Sequence, residues 1–580
     1  MKKVNLKIGL VLLALVSFTN SCKEDFLEVT PNGSLDAQVL ATAKGVDALL
    51  IGAYSMLDGV SSAGFGWEAA SSNWVYGSIR GLEANKGTDA GDQPDINPIQ
   101  TYSESSTNPY LDVKWRSIYD GVARSNAALT VLAAAEAKGT VTAAEADSFR
   151  KQARALRGYY HLEAWRLWAK ADGSGIPYVA EDTDQATLSN TTDVRDLIIA
   201  DLDAGTTLSD NMGQIGRFNG TVAKVLKAKA LMQMKKDYAG AKVILESVKT
   251  GGKKPNGSAI GLDPNFGDIF DAANRNSSPE AIYTVQYSVN DGSGGWNAGW
   301  GEVLNFPYKS NASPGGCCGF FQPSHDFVNS FRTDGSGLPL LDDSYNTQPV
   351  LNDQGLTPAQ AFTEDAGPLD PRLDWSVGRR GIPYLDWGIH TGSDWIRDQT
   401  YGGPYSPKKQ VYRKSQEGQL TEVGNWTSGY TANGYRLIRY ADVLLLLAEC
   451  QVETNDLAGA LINVNLVRNR AKTGKWVKEA NGTTNAANYQ IQPYPSFPDQ
   501  AYARKAVRFE RKLELGLEGH RYFDLQRWGN VSTDLNRVLT YEKTQRSSLY
   551  GSATVGPEDV NFPIPQSQID VTNGLLKQNR

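Results

Sequence analysis

The same five-position order occurs twice in this chain, at Asp237-Tyr238-Ala239-Gly240-Ala241 and at Asp456-Leu457-Ala458-Gly459-Ala460. Each copy lies at the turn between two runs of helical periodicity, "TVAKVLKAKALMQMKKDYAGAKVILESV" and "RYADVLLLLAECQVETNDLAGALINVNLVRNRA". An Asp at that turn can cap the second helix, and the small residues after it let the two helices approach closely. A further pair comes from "YLDVKWRSIYDGVARSNAALTVLAAA" and the run from Phe149 to Trp168, joined by a short polar turn. In the second run, Phe149, Ala153, Leu156, Tyr160, Ala164 and Leu167 fall at steps of three and four, which makes one helical face. The competing reading is coincidental helical hairpins with Ala-rich turns. The shared order of five positions favours a repeat.

Helix-turn-helix units of about 34 residues resemble tetratricopeptide repeats, which must stack to bury their apolar faces. The predicted fold class is therefore mainly α, a tetratricopeptide-like helical-repeat scaffold with a large loop-rich region and a few short strands. The loops occupy residues 251–435, where Gly, Pro, Asn and aromatics dominate, as in "GSGGWNAGW", "GGCCGFFQPS" and "PYLDWGIHTGSDW". Disordered chains are poor in aromatics, so these read as ordered loops with short strands such as "AIYTVQYSV". A helix pair follows at residues 436–471.

At the other end, Lys2, Lys3 and Lys7 precede an apolar run from Ile8 to Val16, too short to span a bilayer. Thr19, Asn20 and Ser21 lead to Cys22, the place where a bacterial lipoprotein is cut and acylated; the usual box carries Leu where this chain has Thr19. The competing reading is a plain signal peptide cut near Ser21. Acyl chains on Cys22 would contribute about 0.8 kcal/mol of membrane affinity per buried CH₂.

Net charge is −6 with both signs interspersed, so no nucleic-acid footprint is present. Beyond Cys22, only Cys317, Cys318 and Cys450 remain, which is no disulfide framework, and adjacent cysteines pair only with strain; reduced thiols are expected. His161, His325, His390 and His520 are isolated, without HExxH or CxxC spacing, so a transition-metal site is unsupported. No GxSxG, Walker A or dinucleotide motif occurs. An oxygen-ligand cation such as a structural Ca²⁺ stays open, since loop carboxylates and carbonyls have no fixed spacing.

Glu510, Glu514 and Glu518, four apart and near His520, could form a glycosidase acid and base. Arg508, Arg511, Arg521 and Arg527 are interleaved with them, however, and an ion-pair network that docks a helix is the better reading. The stronger signal is aromatic: the chain holds 13 Trp. Trp296, Trp300, Trp375, Trp387, Trp395 and Trp426 sit in the loop-rich region, and Trp67 and Trp74 in "GFGWEAASSNWVYGSIRG". Trp115, Trp165, Trp168 and Trp528 fall on helical patterns and read as core. Exposed rings flanked by Asn, Ser and Asp suit a sugar, whose CH faces stack while its hydroxyls find polar partners. The alternative is that they pin loops to the scaffold.

Several segments carry a resemblance: "RYADVLLLLAEC", "AGALINVNLVRNRA", "ERKLELGLEGHRYFDLQRWG", and "NFPIPQSQID" followed by a terminal "KQN". With "DPRLDWSVGRRGIPY" and "GGCCGFFQPS", these make the chain resemble the SusD/RagB family of nutrient-binding outer-membrane lipoproteins of Bacteroidetes. The resemblance implies a signal peptide at 1–21, an N-terminal SusD-like helical region at 22–250, and a C-terminal region at 251–580. It implies four tetratricopeptide-like units, no catalysis, an acylated Cys22 at the outer membrane, and a glycan or peptide ligand passed to a SusC-type TonB-dependent β-barrel. Glu24 and Asp25 resemble that group's surface-export signal. The family's loop positions point to Trp74 and Tyr76, and to Trp296, Trp300 and Tyr308, as ligand-binding residues. Two other functions are weighed: a cell-surface glycoside hydrolase, and a repeat scaffold for other proteins.

Overall fold

The computed structural model describes residues 37–308, 313–424, 427 and 429–580; Cys22 and Trp426 lie outside them. The scaffold begins with α1 (Ala43–Ser55) and the long pair α2 (Pro109–Ala137) and α3 (Ala143–Trp168). Asn108 caps α2 ahead of a Pro at the first turn, where the missing N–H is not needed. At α3, Thr142 and Glu145 form a reciprocal capping box. Trp115 of α2 meets Trp168 of α3 edge to face at 4.8 Å, and both are buried. Next come α4 (Arg195–Gly205), α5 (Gly220–Ala230) and α6 (Tyr238–Gly251), each packed on its predecessor. After the loop-rich region, α7 (Tyr440–Glu453) packs on α6 and is followed by α8 (Leu457–Thr473) and α9 (Gln500–Leu515). The helices thus form one stack although the loop-rich region separates α6 from α7 in the chain.

The repeated turn is repeated in geometry too. Asp237 accepts from Gly240 N at 2.8 Å, and Asp456 accepts from Gly459 N at 3.0 Å. Each Asp follows a residue in the left-handed region, Lys236 or Asn455. The glycine is required by the cap: a Cβ at Gly240 would come within 2.3 Å of Asp237 Oδ2, and one at Gly459 within 2.6 Å of Asp456 Oδ2. The units also join each other, since Lys242 of α6 pairs with Asp456 at 2.9 Å and Lys249 donates to Asn463 at 2.7 Å.

The strands come as short antiparallel ribbons. β1 (Ala84–Gly87) pairs with β3 (Phe320–Pro323), and β2 (Ala281–Thr284) with β4 (Arg436–Arg439), which leads straight into α7. These ribbons tie the loop-rich region to the helices. One large core cluster runs from Leu50 to Leu576.

Glu510, Glu514 and Glu518 are buried in an ion network rather than open to a substrate. Arg372 contacts Glu510 at 2.7 Å and Glu514 at 2.9 Å, and Arg468 contacts Glu510 at 2.8 Å. Arg439 reaches Glu514, Glu518 and Glu280, each at 2.7 Å, and Arg470 also pairs with Glu514. Burial alone would raise the Glu514 pKa, but Arg470, Arg439 and Arg372 outweigh it and hold the carboxyl well below its ordinary range. That is the opposite of what a general acid needs.

One expectation is corrected. Cys317 and Cys318 are joined by a disulfide, not left as reduced thiols. The backbone clamps this loop against its neighbour, with Cys318 N donating to Leu304 O and Gly319 N to Phe306 O, and the two Cα atoms lie 3.0 Å apart. Residue spacing alone does not reveal such a fold-back. Cys450 is free and buried.

Candidate functional site: an aromatic platform on three loops

The loop from Asn290 to Gly301 is organised by its own side chains. Asp291 accepts from Ser293 N at 2.9 Å and from Asn297 Nδ2 at 2.8 Å, and Ser288 N donates to Asn297 O at 2.7 Å. The bonds from Ser293 and Asn297 hold the exposed Asp291 carboxyl well below its ordinary pKa. Asn290 N donates to Glu422 at 2.8 Å, and Gly299 N to Thr431 O at 2.9 Å, which ties this loop to the one around Tyr430.

Trp300 stands at the centre, 5 % exposed, its indole N–H donating to Gly295 O at 2.9 Å. Trp296 stacks on it at 5.1 Å and 24°, and Tyr430 lies 4.8 Å away. From a third loop, Phe65 stacks at 6.1 Å from Trp300 and at 5.0 Å from Trp67. Two glycines make the approach possible: a Cβ at Gly66 would come within 2.9 Å of Trp300 Cβ, and one at Gly295 within 2.7 Å of the Tyr430 ring; both have positive φ. The result is five rings in contact whose outer members, Trp296 and Phe65, are 53 % and 49 % exposed. Large apolar rings left in water and edged by Asn, Asp and Ser are chemically suited to a ligand with flat apolar faces and many hydroxyls.

The expected residues divide. Trp296 and Trp300 meet in the platform, the first facing solvent and the second supporting it. Tyr308 is half-buried and lies 5.0 Å from the Arg397 guanidinium, which Asp89 and Asp92 hold at 2.7 and 2.6 Å. Trp74 and Tyr76 do not face a ligand in this structure, each being 1 % exposed. Phe320 and Phe321, brought over by the β1–β3 ribbon, pack on Trp74 at 6.2 and 5.8 Å, and the Tyr76 hydroxyl is 2.8 Å from the Glu68 and Tyr110 carbonyls. Sequence reasoning did not single out Phe65 or Tyr430. The available signal was an aromatic beside glycines, in "GFG" and "SGY".

His161, His390 and His520 are held neutral, burial pushing them down to about 4, 3 and 4. Two of them serve as hydrogen-bond partners: His161 Nε2 accepts from Val179 N at 3.1 Å, and His390 Nδ1 accepts from Gly392 N at 3.1 Å. Among the described residues, no group of three or more His, Cys, Asp or Glu side chains could hold a metal ion. Nor is any helix among them long and apolar enough to cross a membrane. Burial raises Glu302, next along from Trp300 and Gly301, to about 7, but its side chain is enclosed.

Fold and site together define a helical-repeat scaffold that carries a loop-borne aromatic surface. A model described as "SusD family" matches residues 279–580, and one described as "Starch-binding associating with outer membrane" matches residues 25–242. The chain belongs to the SusD/RagB family. It is 25% identical to "SusD-like protein P25" of Formosa agariphila, over 98% of both chains. It is similar in fold to a SusD superfamily protein from Bacteroides vulgatus, with TM-score 0.66 and 18% identity, covering 93% of this chain and 98% of that one. It is similar also to surface glycan-binding protein A from Bacteroides thetaiotaomicron in complex with laminarihexaose, with TM-score 0.61 and 19% identity over 93% and 99% of the chains.

Proposed function

We propose that this protein is a non-catalytic capture lipoprotein of the cell surface, which holds a glycan on the platform and hands it to a SusC-type TonB-dependent β-barrel. The observation that carries the reading is Trp296, half-exposed and stacked on a buried partner, with Phe65 exposed beside it. A preformed stack loses little conformational entropy when a sugar ring settles on it. The laminarihexaose complex of the similar protein supports the ligand class, and the outer-membrane description of the N-terminal family model supports the location. Against a hydrolase stands the state of Glu510 and Glu514, whose oxygens are occupied by arginines. The test is a binding screen of the protein against neutral and acidic polysaccharides and peptides, with product analysis. The reading expects a glycan to bind and emerge uncleaved; binding of peptides alone, or release of reducing ends, contradicts it.

Cys22 is proposed as the acylated anchor. Cys22→Ala is expected to abolish labelling by a fatty-acid analogue and to release the protein from the outer membrane; equal labelling of parent and variant contradicts it. A lid that seals a barrel needs an interface of at least ~1,200 Å². Purification of tagged protein from its own membrane in mild detergent should therefore recover one barrel in near-equal amount.

A further inference from the structure

Away from the platform, a recess of about 280 Å³ opens between the segments around Trp375, Pro383 and Lys408 and the chain just after α8. Two indoles, Trp375 and Trp476, and four cations, Lys408, Arg413, Lys475 and Lys478, line it; among the described residues no Asp or Glu does. The indoles are fixed, because Trp375 Nε1 donates to Lys475 O and Trp476 Nε1 to Ala471 O, each at 2.9 Å. Gly267 lies so close to the Trp375 ring that a Cβ there would come within 2.3 Å of it.

The charges are only partly answered. Arg413 is held by Asp271 at 2.6 Å, and Lys475 is 3.4 Å from Asp268. Lys478 donates to the Asn485 amide oxygen. Lys408 is 2 % exposed, and its ammonium donates to the Asp374 and Pro383 carbonyls and lies 6.0 Å from the Trp375 ring centroid. Among the described residues it has no carboxylate within ion-pair range, and burial lowers its pKa to about 7. The nearby Asp374 carboxylate favours its charge but is itself held by Arg379 and Tyr489, so a buried ammonium hydrogen-bonded only to carbonyls gains from an incoming anion.

We propose that this recess is a second saccharide subsite, which takes a single sugar unit bearing a carboxylate or sulfate group. The rings meet the CH faces of the sugar, and the lysines and Arg413 meet its anion. The volume lies just below the usual range for ligand pockets, about 300–1,000 Å³, which suits one ring and not a chain. The saccharide class rests on the proposed glycan-capture reading, while the recess itself lies apart from the platform.

Calorimetry with the full protein tests it, using tetragalacturonate, a sulfated carrageenan tetrasaccharide and neutral laminaritetraose. At least one acidic probe is expected to bind, more weakly as ionic strength rises, and the responding probe identifies the anion. Trp476→Ala and Lys478→Glu should each lower that affinity about tenfold. Lys478 is exposed, so its variant should fold as the parent does. If neither acidic probe binds, or if both variants bind like the parent, the subsite is wrong. Loss of laminaritetraose binding in Trp296→Ala alone bears on the platform and not on this recess.

Discussion

Glu514→Ala is expected to destabilise the protein by about 3–5 kcal/mol, because removing one member of a buried ion network leaves its partners charged and unpaired. Three guanidiniums, from Arg372, Arg439 and Arg470, converge on this carboxylate, and each is at most 3 % exposed. They come from the loop region, from β4 and from α8, so the loss would loosen the joint between the loops and the C-terminal helices. The pH dependence has a definite sign. The folded-state pKa of Glu514 is depressed, so its contribution is full above the pKa of a free Glu, about 4.3, and is lost as pH falls through the folded value. Urea midpoints for parent and variant should therefore differ most near neutrality and converge in acid. Glu510→Gln should likewise lower stability and leave glycan affinity unchanged in the folded protein. A variant as stable as the parent contradicts the structural role of the network.

Trp74→Ala should also lower stability by about 3–5 kcal/mol, the usual range for emptying a large aromatic site in a core. Trp74 is packed by Phe320 and Phe321 across the β1–β3 ribbon, so the cavity would open where the N-terminal region meets the loops. Binding by the folded fraction should persist. Thermal unfolding of the variant beside calorimetry with a bound glycan separates the two effects; lost affinity at unchanged melting temperature would return Trp74 to the ligand face.

What could be read in the sequence was what is local. The Asp-x-Ala-Gly-Ala turns were legible because cap, left-handed residue and close-approach glycine all lie within a few positions. Helix α4 carries no comparable local mark, because its N-cap position is Val194, whose side chain cannot cap it. Trp74 and Trp296 both sit among Gly, Ser and Asn, yet one is core and the other solvent-facing. The difference lies in Phe320 and Phe321, distant residues that a ribbon carries onto one ring and not the other. Phe65 and Tyr430 carry no decisive local signal for the same reason, since their role exists only where three loops meet. The charge network was anticipated from interleaved Glu and Arg, but its partners Arg372, Arg439, Arg468 and Arg470 come from other elements.

The central claim is that a glycan rests on the exposed face of Trp296. The direct measurement is calorimetric affinity for the best polysaccharide of the screen, in the parent and in Trp296→Ala, with melting temperature recorded for both. The account predicts a loss of affinity of about five- to tenfold, a stacking contribution of roughly 1–1.5 kcal/mol, with the melting temperature essentially unchanged because the ring is 53 % exposed. Unchanged affinity in a variant that folds as the parent does would contradict it.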